Sequence, residues 1–116
     1  MPWQIEFFEV ERATSPPRDF LTSLPPKAQV KIGRDLLLLI EFGPPMGMPQ
    51  VRRMSGTTDL YELRTSLGSD DFRMLFFSPA HGHIVVLHGI RKKKERTPLR
   101  DIETAEKRRA AWLGRR

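Results

Sequence analysis

Four short strand-like segments follow one another in the second half of the chain and restrict the folds open to it. They span residues 51–54, 60–65, 72–77 and 84–90. Each has the length and composition of a β-strand, and the segments between them are short and rich in Gly, Ser, Asp and Pro. Because short connections join antiparallel neighbours, this pattern predicts an antiparallel meander.

A pair of helices is predicted before these strands. Ser15 and Pro16 are residue types preferred at a helix N-cap and first helical position, and this short helix ends before Pro25. A second helix begins near Pro26 and ends at Gly43, because apolar residues recur every three or four positions between them. The prolines then join the two helices as an antiparallel hairpin.

A strand and a helix are predicted at the two ends of the chain. Residues 3–8 alternate apolar and polar side chains, which favours an N-terminal strand. Thr97 and Pro98 repeat the helix-starting pattern, and apolar residues share one helical face as far as Leu113. The order strand, two-helix hairpin, antiparallel β-sheet meander and C-terminal helix is an α+β architecture. With 116 residues, we expect a single domain spanning residues 1–116.

The composition excludes several classes of protein. The chain has no cysteine, which excludes disulfides, thiol nucleophiles and Cys-ligated metal sites. The absence of cysteine fits a reducing compartment. The longest apolar run, residues 36–40, is much shorter than the ~20 residues that a membrane span needs. The N-terminal residues lack the basic and apolar regions of an export signal. We therefore expect a cytoplasmic protein with no membrane partner.

Positive charge is concentrated at the C-terminal end. The net charge is +6, but residues 1–90 carry −1 and residues 91–116 carry +7. Such segregation attracts a polyanion, of which nucleic acid is the commonest in a cytoplasm, and an acidic protein would be attracted too. The charge distribution thus predicts binding to nucleic acid or to an acidic protein partner.

Histidines and carboxylates do not assemble a predicted site. His81 and His83 lie in a predicted hairpin turn, and His88 lies on the next strand without a carboxylate or cysteine to complete a metal site. We interpret them as ordinary turn and sheet residues and expect no metal and no cofactor. Asp70 and Asp71 are predicted in another hairpin turn, which gives little support to a two-carboxylate acid–base site.

Two arginines lie in the middle of predicted strands. Alternation places Arg64 on the strand face opposite Leu63, and Arg73 lies on the neighbouring strand. Burying an arginine costs free energy unless it meets an anion or lies in an open groove. Two interpretations therefore remain open: a salt bridge to Glu62 or Asp71, or a groove that takes an anionic ligand.

A run of charged residues, 91–96, joins the last strand to the last helix. Such a run is most often a solvated edge. Its position between two regular elements favours a binding role, because the side chains are then held in a limited set of directions.

The order of these motifs resembles one superfamily of toxins. Residues 51–56 are VRRMSG, residues 60–64 are LYELR, residues 72–77 are FRMLFF and residues 84–98 are IVVLHGIRKKKERTP. Each motif is common alone, but their order closely resembles the phage Gp49-like, HigB-type branch of the RelE/ParE toxin superfamily. The resemblance implies a RelE-like fold with an active site on a concave sheet face.

The resemblance also implies a function. It implies the toxin of a type II toxin–antitoxin system, a ribosome-dependent mRNA endoribonuclease (mRNA interferase) that inhibits translation and causes growth arrest. The implied partners are the ribosome, mRNA and a cognate helix-turn-helix antitoxin, through which operator DNA is bound. A ParE-like DNA gyrase inhibitor and a non-catalytic basic RNA- or ribosome-binding module remain alternatives.

The resemblance maps functional residues onto this chain. The implied catalytic residues are Arg64, Lys93, Lys94 and Arg96. We expect the two arginines to clamp phosphate and stabilise the transition state, and the lysines to be candidate proton-transfer groups. Where some members carry tyrosine or histidine, this chain has Arg100, so no neutral-range acid or base is predicted near it. The residues expected to bind RNA or the ribosome are Arg52, Arg53, Arg73, Arg91, Lys92, Arg100, Lys107, Arg108 and Arg109.

Overall fold

The computed structural model describes residues 2–11, 14–47, 49–57, 59–92 and 96–115. Within them, five strands form one sheet in the order β1-β5-β4-β3-β2, with three α-helices. The elements are β1 (Gln4–Phe7), α1 (Pro16–Thr22), α2 (Pro26–Phe42), a 3-10 turn (Pro44–Met46), β2 (Val51–Arg53), β3 (Tyr61–Leu67), β4 (Asp70–Ala80), β5 (His83–Lys92) and α3 (Leu99–Gly114). The predicted α+β architecture is confirmed.

The boundaries of α1 and α2 follow the predicted capping residues, whereas the N-cap predicted for α3 at Thr97 is wrong, because α3 begins at Leu99 with Pro98 at its N-cap. Ser15 caps α1, since its Oγ accepts from Arg18 N at 3.4 Å, and the same hydroxyl donates to Phe8 O at 2.7 Å. Gly43 ends α2 with φ of 70°, and a Cβ there would collide with the Trp3 indole. Among the described residues, no helix is long and apolar enough to cross a membrane.

The sheet contains the predicted meander and one pairing that the local pattern does not predict. Strands β2, β3, β4 and β5 are antiparallel neighbours. Strand β1 pairs in parallel with β5, with Ile5 opposite Ile84, so the sheet is mixed. The chain between β1 and β5 contains the two helices and the other three strands, so it supplies the long connection that a parallel pair needs.

Two predicted turns are wrong in their extent. His83, predicted in a turn with His81, is the first residue of β5, so only residues 81–82 form that turn. The other is the turn predicted to contain two aspartates. Asp70 and Asp71 are the first residues of β4, opposite Leu67 and Ser66, and only residues 68–69 form the turn. Gly68 has φ of 63°, which allows a two-residue hairpin loop that does not need the aspartates. The Asp71 side chain is therefore fixed in the sheet instead of lying in a solvated turn.

Helices cover both faces of the sheet. On one face, α1 contacts β5 and α2 contacts β3. The buried core on this face includes Ile32, Leu39, Leu63, Phe76 and Val86. On the other face, α3 covers a second core that includes Leu60, Leu75, Phe77, Leu87 and Ala105. Beyond the N-terminal end of α3, this second face becomes polar.

A β-bulge decides which residues of β5 lie on the α3 face. Leu75 pairs with His88, but the next residue of β4, Phe76, pairs with Val86. Strand β5 therefore has one extra residue, Leu87, at this point. Because side chains alternate between faces, the extra residue turns His88 towards α3, whereas regular alternation from Val86 would turn it towards α1.

Gly89 provides a test of how closely α1 packs on β5. A Cβ at this position would collide with the Phe20 ring of α1, so Gly89→Ala should destabilise the fold by about 1–3 kcal/mol. Gly33→Ala is the matched control, because its added Cβ would meet no described atom within 4 Å apart from the neighbouring backbone of α2 itself. It should stabilise α2 by about 0.5–1 kcal/mol. Urea unfolding measures both, and an unchanged midpoint for Gly89→Ala would contradict this packing.

Candidate functional site

Four charged side chains occupy the polar end of the α3 face. Arg64 of β3 and Arg73 of β4 are directly opposite each other, an arrangement that is unfavourable for like charges. Asp71 compensates both: its Oδ2 lies 3.0 Å from Arg64 Nη2 and 3.5 Å from Arg73 Nη2. Glu62 lies on the same face, with Oε1 at 3.6 Å from Arg64 Nε. Of the two interpretations left open by the sequence, the structure shows the salt bridges.

Thr97 joins this group from the segment that follows β5. Its hydroxyl accepts from Arg73 Nη1 at 2.7 Å and donates to Glu62 Oε2 at 2.7 Å. Glu62, Arg73 and Thr97 are 1%, 2% and 6% exposed. We call Glu62, Arg64, Asp71, Arg73 and Thr97 the charged network. It fixes the chain before α3 to the middle of the sheet.

The electrostatics of the network keep Asp71 ionised. Burial raises the pKa of its carboxyl, but hydrogen bonds from Ser66 and Arg64, the charge of Arg64 and a hydrogen bond from Arg73 outweigh that effect. The pKa of Asp71 therefore lies below its ordinary value of 3.8. At neutral pH a permanent negative charge holds both guanidinium groups in place.

Two clefts flank the charged network. The first, which we call the Arg96 cleft, has a volume of about 310 Å³ and is lined by Arg52, Met54, Ser55, Arg96, Thr97 and Ile102. The second, the Arg64 cleft, has a volume of about 580 Å³ and is lined by Lys31, Asp35, Pro49, Gln50, Arg64, Ser66 and Asp71. Arg64 and Arg96, predicted to share one catalytic site, thus line separate clefts. Glu62 contacts Arg64 of one cleft and Thr97 of the other.

The predicted catalytic residues differ in their environments. The Arg64 side chain is 27% exposed, so it reaches solvent while it is bonded to the network. Arg96 is exposed. Lys93 and Lys94 lie outside the described residues. Arg73 is buried, so the RNA contact predicted for it would require the network to open.

Residues at the end of β5 lie on different faces. Lys92 is opposite Asp71, on the face of the network. Arg91 turns to the other face, where it bonds Asp70 at 2.7 Å and lies 5.4 Å from the centre of the Phe72 ring. Of these two predicted RNA-binding residues, only Lys92 is on the same side of the sheet as Arg64.

Four other predicted binding residues are exposed. Arg52 and Arg53 lie on β2, and Arg100 and Lys107 lie on α3. Arg52 is opposite Glu62 in the sheet and lines the Arg96 cleft. These positions are compatible with contacts to an anionic partner.

The remaining two arginines of α3 are tied to the sheet. Arg108 Nη1 donates to Leu87 O at 2.8 Å and lies 3.1 Å from His88 Nδ1, and burial lowers the pKa of the Arg108 guanidinium. Arg109 stacks on the Phe77 ring at 5.2 Å from its centre. Both side chains therefore hold α3 against the sheet in addition to any role in binding.

Two histidines, His83 and His88, are paired with carboxylates that the sequence pattern did not indicate. His88 Nε2 lies 2.7 Å from Asp101 Oδ1. Because the Arg108 guanidinium can only donate, Nδ1 is the acceptor and Nε2 carries the hydrogen donated to Asp101. With both ring nitrogens engaged, His88 connects β5 to α3 and has no free nitrogen for proton transfer.

The other two histidines have structural contacts. His83 Nε2 bonds Glu6 Oε1 at 2.9 Å, and the His81 ring lies 4.9 Å from the Trp3 ring. Within the part of the chain that the structure describes, no three His, Cys, Asp or Glu side chains lie close enough together to hold a metal ion.

One protein-family model matches most of the chain. The model described as phage derived protein Gp49-like (DUF891) matches residues 19–110. The chain belongs to this family. The match includes every member of the charged network and most of α3, and it agrees with the resemblance found in the sequence. Membership of the Gp49-like family suggests a toxin with an antitoxin partner. No curated protein sequence matches the chain.

Acid titration tests the electrostatics of the network. Asp71→Asn should destabilise the folded protein by about 1–3 kcal/mol at neutral pH, because two guanidinium groups lose their shared anion. Since the folded-state pKa of Asp71 is lowered, its contribution is complete above about pH 5 and is lost as the pH falls through the lowered value.

Urea unfolding between pH 2.5 and 7 measures this effect, with the exposed Asp19→Asn variant of α1 as control. The difference between Asp71→Asn and the unsubstituted protein should shrink at the acidic end. A difference of the same size at every pH would contradict the assigned role of Asp71.

Proposed function

We propose that this Gp49-like protein is the toxin of a type II toxin–antitoxin system and that it cleaves mRNA on the ribosome without a metal ion. One observation carries the proposal: Arg64 is held by a buried carboxylate network at the edge of one cleft, while Arg52 and Arg96 line the adjacent cleft. This arrangement presents one oriented cation, Arg64, and two further cations in the cleft that Thr97 also lines, as binding of successive phosphates requires.

The chemistry of RNA cleavage explains the use of arginine. Attack of a 2′-hydroxyl on the adjacent phosphate requires in-line geometry, stabilisation of the negative charge that grows on the phosphate oxygens, and transfer of two protons. A guanidinium group keeps its charge and offers donors in a planar fork that matches phosphate oxygens. Because Asp71 already orients Arg64, little reorganisation is needed when the charge develops.

Proton transfer is assigned to the segment after β5. The predicted groups are Lys93 and Lys94, which follow Lys92 directly. A lysine amine accepts a proton only when neighbouring cations and partial burial favour its neutral form, and this run supplies the cations. An enzyme with such a modest acid–base apparatus fits a reaction in which the ribosome positions the message.

Regulation by an antitoxin follows from the charge distribution. Residues 91–116 carry +7 and include the exposed Arg100 and Lys107 of α3. An acidic surface on a helix-turn-helix antitoxin would be attracted to this region and would compete with RNA. In this proposal operator DNA is reached only through the antitoxin.

Replacing Arg64 tests the catalytic assignment. Arg64→Ala would remove a positive charge that compensates the carboxylates of Asp71 and Glu62. Arg64→Lys is the better variant, because it keeps that charge and loses only the planar fork of the guanidinium group. It should reduce cleavage of translated mRNA by about 10²-fold while the melting temperature changes little. Arg34→Lys, on the exposed side of α2, is the matched control and should cleave normally.

The measurement is primer extension on messages from a bacterium in which each variant is induced. Cuts within translated regions, accompanied by growth arrest, are expected for the unsubstituted protein. Intact messages together with trapped gyrase–DNA complexes would instead assign the chain to the ParE-like alternative. Intact messages without such complexes, but with ribosome binding, would make it a non-catalytic binding module.

Two neighbouring cations of α3 separate binding from folding. Lys107→Ala should weaken ribosome binding and reduce the slope of its salt dependence by about 1, because an exposed side chain contacts phosphate without supporting the core. Arg108→Ala should lower the melting temperature, because it removes the bonds to Leu87 and His88. Sedimentation binding assays at several salt concentrations and thermal unfolding measure these effects. An equal loss of stability in both variants would contradict the distinction.

A further inference from the structure

The carboxylate of Glu62 is buried between Arg64, which lines one cleft, and Thr97, which lines the other. It is 1% exposed, and its Oε2 accepts a hydrogen bond from Thr97. Its Oε1 lies 3.6 Å from Arg64 Nε, outside hydrogen-bond distance, and has no hydrogen-bond donor among the described residues. One oxygen is therefore bound to the segment before α3, and the other faces the cation of the Arg64 cleft.

Thr97, which bonds Glu62, is directly connected along the chain to Arg96 and to the start of α3. It follows Arg96, which lines the neighbouring cleft, and it precedes Pro98, whose carbonyl accepts the first backbone bonds of α3 from Asp101 and Ile102. Any displacement of Thr97 from the sheet would therefore move Arg96 and loosen the start of α3.

Stability alone does not require a carboxylate here. A buried ion pair gains little over a well-packed apolar group of the same size, because desolvation opposes the Coulombic attraction. What Glu62 adds is geometry, since it connects the Arg64 guanidinium to Thr97 through the two oxygens of one rigid group.

We propose that Glu62 is a positioning residue that couples Arg64 to Arg96 through Thr97, so that the two cations act on one RNA backbone as a unit. The effect of Glu62 on cleavage rests on the proposed function. The effect of Glu62 on the position of the segment before α3 is independent of that function. Glu62 contacts no substrate in this account.

Isosteric variants separate the two contacts of Glu62. In Glu62→Gln, the amide oxygen can still accept from Thr97, but the amide group carries no charge and presents N–H donors to Arg64. In Thr97→Val, the shape is kept while the bonds to Glu62 and Arg73 are lost. Thr97→Ser keeps the hydroxyl and should restore the behaviour of the unsubstituted protein. Matched controls on the surface of α3 are Glu103→Gln and Thr104→Val.

Two measurements on the same full-length preparations test the proposal. Hydrogen exchange over residues 96–104 should accelerate in Thr97→Val and remain near normal in Thr97→Ser and both controls. On ribosomes programmed with a message, Glu62→Gln and Thr97→Val should lower kcat by about 10²-fold, with little change in KM. A merely structural role would lower the active fraction and leave the kcat of the folded molecules unchanged, so folded protein is quantified by far-ultraviolet circular dichroism.

The outcomes distinguish this proposal from the proposed function. Normal exchange in Thr97→Val, or normal kcat in Glu62→Gln, would overturn the positioning role. If the unsubstituted protein does not cleave any message, the proposed nuclease function fails. In that case accelerated exchange in Thr97→Val, with rescue by Thr97→Ser, would still support the Thr97 part of the coupling.

Discussion

The buried contact of Thr97 with Arg73 and Glu62 determines how the rest of the site is arranged. Its hydroxyl bonds a guanidinium group and a carboxylate at 2.7 Å each, so neither charge is buried without compensation. Because Thr97 lies between β5 and α3, the same contact fixes the chain that carries Arg96 and the point where α3 begins. The sheet supplies the charges, and the connecting segment is held by them.

The β-bulge in β5 has a comparable effect on the other side of the site. It turns His88 towards α3, where Asp101 and Arg108 bind both ring nitrogens. The helix is therefore held at its start by Thr97 and farther along by His88. Arg64 lines its own cleft and keeps part of its surface in contact with solvent.

The regular elements could be predicted from the sequence because they depend on local signals. Ser15 and Pro16 start α1, Gly43 ends α2, and the alternating strands of the meander follow one another through short turns. The parallel pairing of β1 with β5 could not be predicted in the same way, because it joins segments far apart in the chain and has no short connection to indicate it.

The site was predicted less completely than the fold. Residue types and motif order predicted Arg64 and Arg96 as site residues, but their burial and partners depend on tertiary contacts. The alternation of β5 could not place His88 correctly, since one extra residue in a strand reverses the faces and has no compositional signature. Asp71 was assigned to a turn because Gly68 and its polar neighbours favour one, whereas the two-residue loop left the aspartates in the strand.

The central claim is that Arg64 and Arg96 act on one RNA as a unit even though they line different clefts. A double-mutant cycle on kcat for message cleavage by purified protein on programmed ribosomes tests it most directly, with Arg64→Lys, Arg96→Ala and the double variant. The account predicts that the double variant loses scarcely more activity than the more damaged single variant, because a coupled pair is largely disabled by either change. Losses that multiply would show that the two arginines act independently and would contradict the account.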